Sequence, residues 1–145
     1  MKYNFFGHEN ALKINIKTPY KNIHNPRDLY DILSKLWCKK TCAYRMQNKW
    51  SKDNMTLGQC SITSILFQDI FKGEIYGILL EDGNYHCFNV IEGYTFDLTS
   101  EQFKCKLDYT KSVLQDRNVH LKNKEKEERY NYLKELFFEN VCNID

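Results

Sequence analysis

Cys60, His86 and Asp97 are the residues of this chain whose types and order could do chemistry. A thiol becomes a good nucleophile as thiolate, a state favoured by a helix N-terminus and a nearby imidazole, while a carboxylate fixes the ring's orientation. Gly58-Gln59-Cys60 sits where a turn gives way to an apolar run, which predicts the thiol at the start of a helix. In such a set Cys60 attacks a carbonyl, His86 carries the proton, and Asp97 holds the imidazole tautomer without taking a proton itself. The Cys60 amide is one expected donor of an oxyanion hole, with Gln59 or a side chain of the loop holding Trp50 and Asn54 as the second. The expected reaction is hydrolysis or acyl transfer at an amide, ester or thioester of a small molecule or peptide. The alternative is a catalytically inactive binding domain that keeps the fold and uses Trp37, Trp50, Tyr85 and Tyr94 as a contact surface.

The elements that must position these residues are legible from their turns. Asn25-Pro26 opens a helix in which Leu29, Ile32, Leu33 and Leu36 recur at helical spacing, ending near residues 37 to 42. Residues 43 to 54 read as a polar loop anchored by Trp50. Thr56 and Gln59 have capping-box spacing, so a second helix is expected from about Thr56, carrying Ile62, Ile65, Leu66, Phe67, Ile70 and Phe71 to a stop at Lys72-Gly73. Three strands follow, 74 to 80, 85 to 91 and 94 to 98, joined by Asp82-Gly83 and Glu92-Gly93 as two-residue hairpin turns. Residues 99 to 103 predict a helical turn, then a less regular segment, then a final helix over about 122 to 141 with Tyr130, Leu133, Leu136 and Phe137 on one side. The fold class is therefore α+β: N-terminal helices packed on an antiparallel β-meander, plus a C-terminal helix.

The hairpin registers decide whether the set can assemble. A two-residue turn at Glu92-Gly93 puts Phe88 opposite Asp97, and His86 then lies diagonally from Asp97 on one sheet face; a one-residue slip would separate them. A two-residue turn at Asp82-Gly83 puts Leu79 opposite His86. The catalytic reading needs the Cys60 helix to start over that face. Cys87 and Asn89 alternate to the other face and read as structural, and Asp97 also suits a cap for the turn at Thr99, a role compatible with catalysis.

Length and composition bound the remaining choices. A chain of 145 residues with 42% hydrophobic content fits one domain, with residues 26 to 141 as the core and residues 1 to 25 as an arm or edge strand. Twenty-one basic against 19 acidic residues argue against nucleic acid, and no apolar run approaches membrane-spanning length. The absence of a signal-peptide pattern points to the cytoplasm, where the cysteines at 38, 42, 60, 87, 105 and 142 stay reduced. Cys38 and Cys42 have metal-pair spacing but no second pair, so no metal or cofactor is expected.

Gly58-Gln59-Cys60 before an apolar helix, with a His on one strand and an Asp on the next, resembles the Cys-His-Asp core of transglutaminase-like and papain-like thiol enzymes. Ser61 stands where those transglutaminases carry Trp, and the 26 residues from Cys60 to His86 make a short connection. A longer run is similar to the YunG-like family of small bacterial proteins. It comprises Trp50-Ser51, Asn54, Gly58 to Thr63, Gln68-Asp69, Gly73 to Ile75, His86, Asn89 and Asp97 to Phe103, with Met55 in place of the usual Pro. This resemblance spans about residues 29 to 137 and supports grouping Cys60, His86 and Asp97.

Overall fold

In the computed structural model, which describes residues 2–141, α1 spans Pro26–Leu36. It begins as the Asn25-Pro26 pair dictates: the Asn25 carboxamide oxygen accepts from the amides of Arg27 and Asp28, and Pro26 gives up no needed donor. Leu29, Leu33 and Leu36 face the core. Residues 39 to 54 are three short 3-10 turns, Lys39–Thr41, Tyr44–Lys49 and Lys52–Asn54, so the expected loop is coiled rather than open.

Helix α2 spans Cys60–Phe71 and is buried almost all round, as its apolar sequence requires. It starts at Cys60 rather than near Thr56, and no side chain caps it. Thr56 is buried among other groups and the capping box does not form. What sets the start is Gly58, which has φ +70°, and whose hydrogen faces the Cys42 sulfur so closely that a Cβ would stand 2.5 Å from it. A glycine there satisfies a left-handed backbone and a tight contact at once.

Four strands form one antiparallel sheet of order β3-β2-β1-β4: β1 Glu74–Leu79, β2 Tyr85–Ile91, β3 Tyr94–Phe96 and β4 Ser112–Gln115. The second hairpin has the expected register, with Asn89 opposite Phe96 and Ile91 opposite Tyr94; Glu92 and Gly93 both take positive φ, as such a turn demands. The first hairpin does not. Ile78, not Leu79, lies opposite His86, because Leu80 pairs with Asn84 and the loop holds three residues, 81 to 83, with Gly83 at φ +85°. The fourth strand lies in the segment that sequence left irregular. Ser112 to Gln115 has weak alternation, and only pairing with β1 makes it a strand.

The two sheet faces have different covers. Asn89 donates to the Ser64 carbonyl at 3.0 Å, Phe96 lies against Phe67, and Cys87 and Ile91 join the main core, so this face carries α2. The opposite face bears Tyr76, Ile78, His86 and Phe88 and is covered by the chain after β3, with Phe103 edge-on to His86 and Tyr109 edge-on to Phe88. Behind α2 lie α1 and α4, the latter spanning Lys124–Asn140, with Tyr130, Leu133 and Phe137 buried; a short α3, Arg117–Leu121, precedes it. The N-terminal segment forms no extended edge strand. It carries a 3-10 turn over His8–Lys13, buries Phe5, Ala11, Ile14 and Ile23 completely, and bridges Phe6 to Asp97. Cys142 lies outside the described residues.

Gly58→Ala is expected to lower unfolding free energy by about 3 kcal/mol, combining backbone strain with collision against Cys42. Gly83→Ala, where a Cβ meets nothing within 4 Å, should cost only about 1 kcal/mol. Urea unfolding of both variants checks the difference, and equal losses would remove the Cys42 contact as the reason for Gly58.

Candidate functional site

His86 and Asp97 meet as the second hairpin's register requires: the imidazole Nε2 and Asp97 Oδ2 are 2.6 Å apart, with both side chains about 1% exposed. Asp97 is saturated. Its Oδ2 also accepts from the Tyr109 hydroxyl at 2.7 Å, while Oδ1 accepts from the Thr99 amide and hydroxyl. The capping and orienting roles therefore coexist on one carboxylate. The other ring nitrogen, Nδ1, is buried without a conventional hydrogen-bond partner.

Cys60 does not lie over the face that bears His86, because α2 covers the opposite one. It approaches His86 at the edge of β2 that lies beyond the end of β3. Next to the Glu92-Gly93 turn, Ile91 and Tyr94 form the hydrogen-bonded kind of pair, so the amides of Asn89 and Cys87 also point toward β3. β3 ends at Phe96, so Leu98, which would stand opposite Cys87 in a longer hairpin, is not paired with it. The Cys87 amide is thus left without a strand partner, and it donates to the Cys60 sulfur. From this position the thiol lies close enough to the Cys87 thiol and the His86 ring for each to act on its charge.

These neighbours settle the charges. The Cys87 thiol donating to Cys60 is the largest influence, and the His86 ring and the Cys87 amide add to it; together they outweigh burial and hold the Cys60 thiol well below its ordinary 9.0. The Cys87 thiol is driven the other way, because its proton is held by the Cys60 thiolate and burial disfavours its own charge. At His86, burial opposes protonation, but the Asp97 carboxylate and the Cys60 sulfur more than offset it and raise the imidazole to about 10. These influences favour the thiolate of Cys60 and the imidazolium of His86 over their neutral forms. Burial and the hydrogen bond to Asp97 keep Tyr109 protonated as a donor.

Cys60 is half-buried and opens on a cavity of about 980 Å³ lined by Ser61, Tyr85, Gln115, His120, Lys126 and Arg129, among others. None of the three other expected site residues lines it. Gln59 donates its carboxamide to the Cys38 carbonyl at 3.1 Å, Trp50 gives its indole N–H to the Met55 carbonyl at 2.9 Å, and Asn54 lies with Trp50 in the 3-10 region away from the thiol. Gln59 and Trp50 hold the turn before α2. Among the described residues no cluster of three or more His, Cys, Asp or Glu is placed to hold a metal ion, and Cys42 is a buried thiol pushed up to about 11 by its burial.

Several residues that matter here carried no readable signal. Cys87 alternates away from His86, so its contact with Cys60 follows only from the gap beside β2. Tyr109 comes from the segment without periodicity. Arg129, 3% exposed in a helix that looks like a solvated charge run, donates to the carbonyls of Thr41 and Gly58 and pairs with Glu125. It fixes the turn that presents Cys60.

The family described as YunG protein matches residues 25–142 of this chain. "Uncharacterized protein YunG" of Bacillus subtilis (strain 168) is 29% identical over 106 residues, covering 73% of this chain and 90% of that protein. No solved structure matches the chain.

The charges impose a sign on the pH dependence of stability. His86, raised from 6.5 to about 10, contributes stability that is complete below pH 6.5 and lost as pH rises to about 10. Cys60, depressed, contributes stability that is complete above pH 9.0 and lost as pH falls toward its folded value. Within pH 6.5 to 9.0, wherever folded Cys60 is ionised, the two slopes are opposite in sign and cancel. The stability difference between the wild type and a Cys60→Ala, His86→Ala double variant should be level in that window and shrink on both sides, as read by urea unfolding across pH. A difference that falls steadily across the window would mean that no thiolate-imidazolium pair exists.

Proposed function

The chain belongs to the YunG family, and we propose that its member here is a cysteine-dependent hydrolase or acyltransferase acting on an amide, ester or thioester through Cys60, His86 and Asp97. The observation that carries this reading is the division of the His86 ring. Nε2 is committed to Asp97, and Nδ1, with no conventional partner, is the nitrogen left for the Cys60 thiol. A helix-start cysteine, a strand histidine and an aspartate following the next strand match the order of a papain-like or transglutaminase-like core, and that finer fold assignment is part of the proposal.

In the proposed cycle the Cys60 thiolate attacks the substrate carbonyl carbon, and the His86 imidazolium gives its Nδ1 proton to the leaving amine, alcohol or thiol. The carbonyl carbon to leaving-group bond breaks and a thioester on Cys60 remains. Water or an amine then attacks that thioester, His86 Nδ1 takes the attacking group's proton, and the thiolate returns as the product leaves. Asp97 keeps its charge throughout. Tyr109 and Thr99 donate to it, so it orients the ring and stabilises the imidazolium without accepting a proton.

A general acyl donor tests the reading without knowledge of the natural substrate. Brief exposure to p-nitrophenyl acetate, followed by peptide mass spectrometry, should place one acetyl group on Cys60. Cys60→Ala should abolish it, and His86→Ala should slow it by about a hundredfold or more at pH 7. Acetylation of the wild type spread evenly over the cysteines, or unchanged by His86→Ala, would end the proposal.

A further inference from the structure

Gln115, at the end of β4, stands outside the thiol, imidazole and carboxylate set, yet its neighbours leave it a single orientation. The Lys126 ammonium lies 2.9 Å from His120 Nδ1, and an ammonium only donates, so Nδ1 must carry the lone pair. Burial and the Lys126 charge hold this ring neutral, which places its one proton on Nε2. Nε2 is 2.7 Å from the Gln115 side chain and donates to it, so the carboxamide oxygen is the atom facing His120. The Cys87 sulfur lies 3.2 Å from the same oxygen, its single proton being held by the Cys60 sulfur.

With its oxygen taken by His120 Nε2, the Gln115 carboxamide turns its nitrogen away from that ring. No hydrogen bond from Nε2 to another described residue accompanies this arrangement. The nitrogen lies over the bare Cα of Gly77 on β1, where any Cβ would collide with it. Gly77 has ordinary strand backbone, so its lack of a side chain serves this close approach and not a turn. Gln115 lines the same cavity as Cys60 and Ser61, and one side chain, Cys87, touches both Gln115 and the Cys60 sulfur.

We propose that Gln115 Nε2 is the second donor of the oxyanion hole, acting with the Cys60 amide at the uncapped start of α2 on the carbonyl oxygen of the acyl substrate. The inference rests on the acyl-transfer reading of Cys60 and names the group that recognises its substrate's carbonyl. When Cys60 attacks, negative charge builds on that oxygen, and a carboxamide whose rotamer is already fixed stabilises it without reorganising. His120 and Lys126 are positioning residues: they hold the oxygen of Gln115 and so fix which way its nitrogen points.

Two reactions of the same thiol separate this role from thiol activation. Alkylation by iodoacetamide reads thiolate content and develops no oxyanion, whereas acylation by p-nitrophenyl acetate does. Gln115→Leu should slow acylation of Cys60 by about a hundredfold while leaving its alkylation rate and pH profile as in the wild type. Lys126→Met, which frees His120 to change tautomer and Gln115 to turn over, should slow acylation by about tenfold, again without change in alkylation. The second variant keeps the test available should Gln115→Leu not fold. If acylation and alkylation fall together, or if neither changes, Gln115 is no oxyanion donor. A wild-type thiol that alkylates like a free cysteine would instead overturn the reading of Cys60 itself, and this inference with it.

Discussion

The Arg129 guanidinium is the contact on which the site most depends. It is buried in α4, where an unpaired charge would cost several kcal/mol, and it is satisfied by the carbonyls of Thr41 and Gly58 and by the Glu125 carboxylate. Glu125 in turn accepts from the Tyr44 amide. The C-terminal helix is thereby fastened to the 3-10 region and to the turn before α2. A carbonyl held on one side and the Cys42 sulfur packed against the Gly58 Cα on the other leave that turn little freedom. Cys60 is two residues along. The thiol is placed by a residue nearly seventy positions away in sequence, through backbone atoms rather than through its own side chain.

A second constraint is the early departure of β3. A longer third strand would have paired with Cys87 and closed the sheet between the thiol and the imidazole. Because β3 ends at Phe96, one β2 amide is freed, and that amide becomes part of the thiol's environment. The same departure brings residues 99 to 109 over the opposite face, where Phe103 and Tyr109 shield His86 and Asp97 from water. In this low-dielectric setting the pair interacts strongly, which is how a buried imidazole comes to hold its proton. Sheet geometry, burial and proton affinity are thus consequences of where one short strand stops.

Legibility followed the range of the interaction. Asn25-Pro26, Lys72-Gly73 and Glu92-Gly93 each act within a few residues, and α1, the end of α2 and the second hairpin stand where those residues put them. Asp82-Gly83 misled by one residue, since the same dipeptide serves a three-residue loop with glycine in the left-handed position. Thr56 and Gln59 have the spacing of a cap but are buried, with Gln59 spent on the Cys38 carbonyl. Ser112 to Gln115 has no pattern of its own and becomes a strand only against β1.

For the site, the amino-acid order alone determined that His86 and Asp97 share a face, because a two-residue turn fixes register and a period of two fixes sides. It also placed Cys60 near the start of a helix, though it put that start near Thr56. Only the tertiary structure decided that this helix lies on the other side of the sheet, that Cys87 and not an apolar residue meets the thiol, and that Gln115, His120 and Lys126 gather at the same cavity. The physical reason is common to all three. Register and helix starts are set by local backbone geometry, whereas which face a helix covers, and which distant polar groups must satisfy one another once buried, is set by closing the whole core.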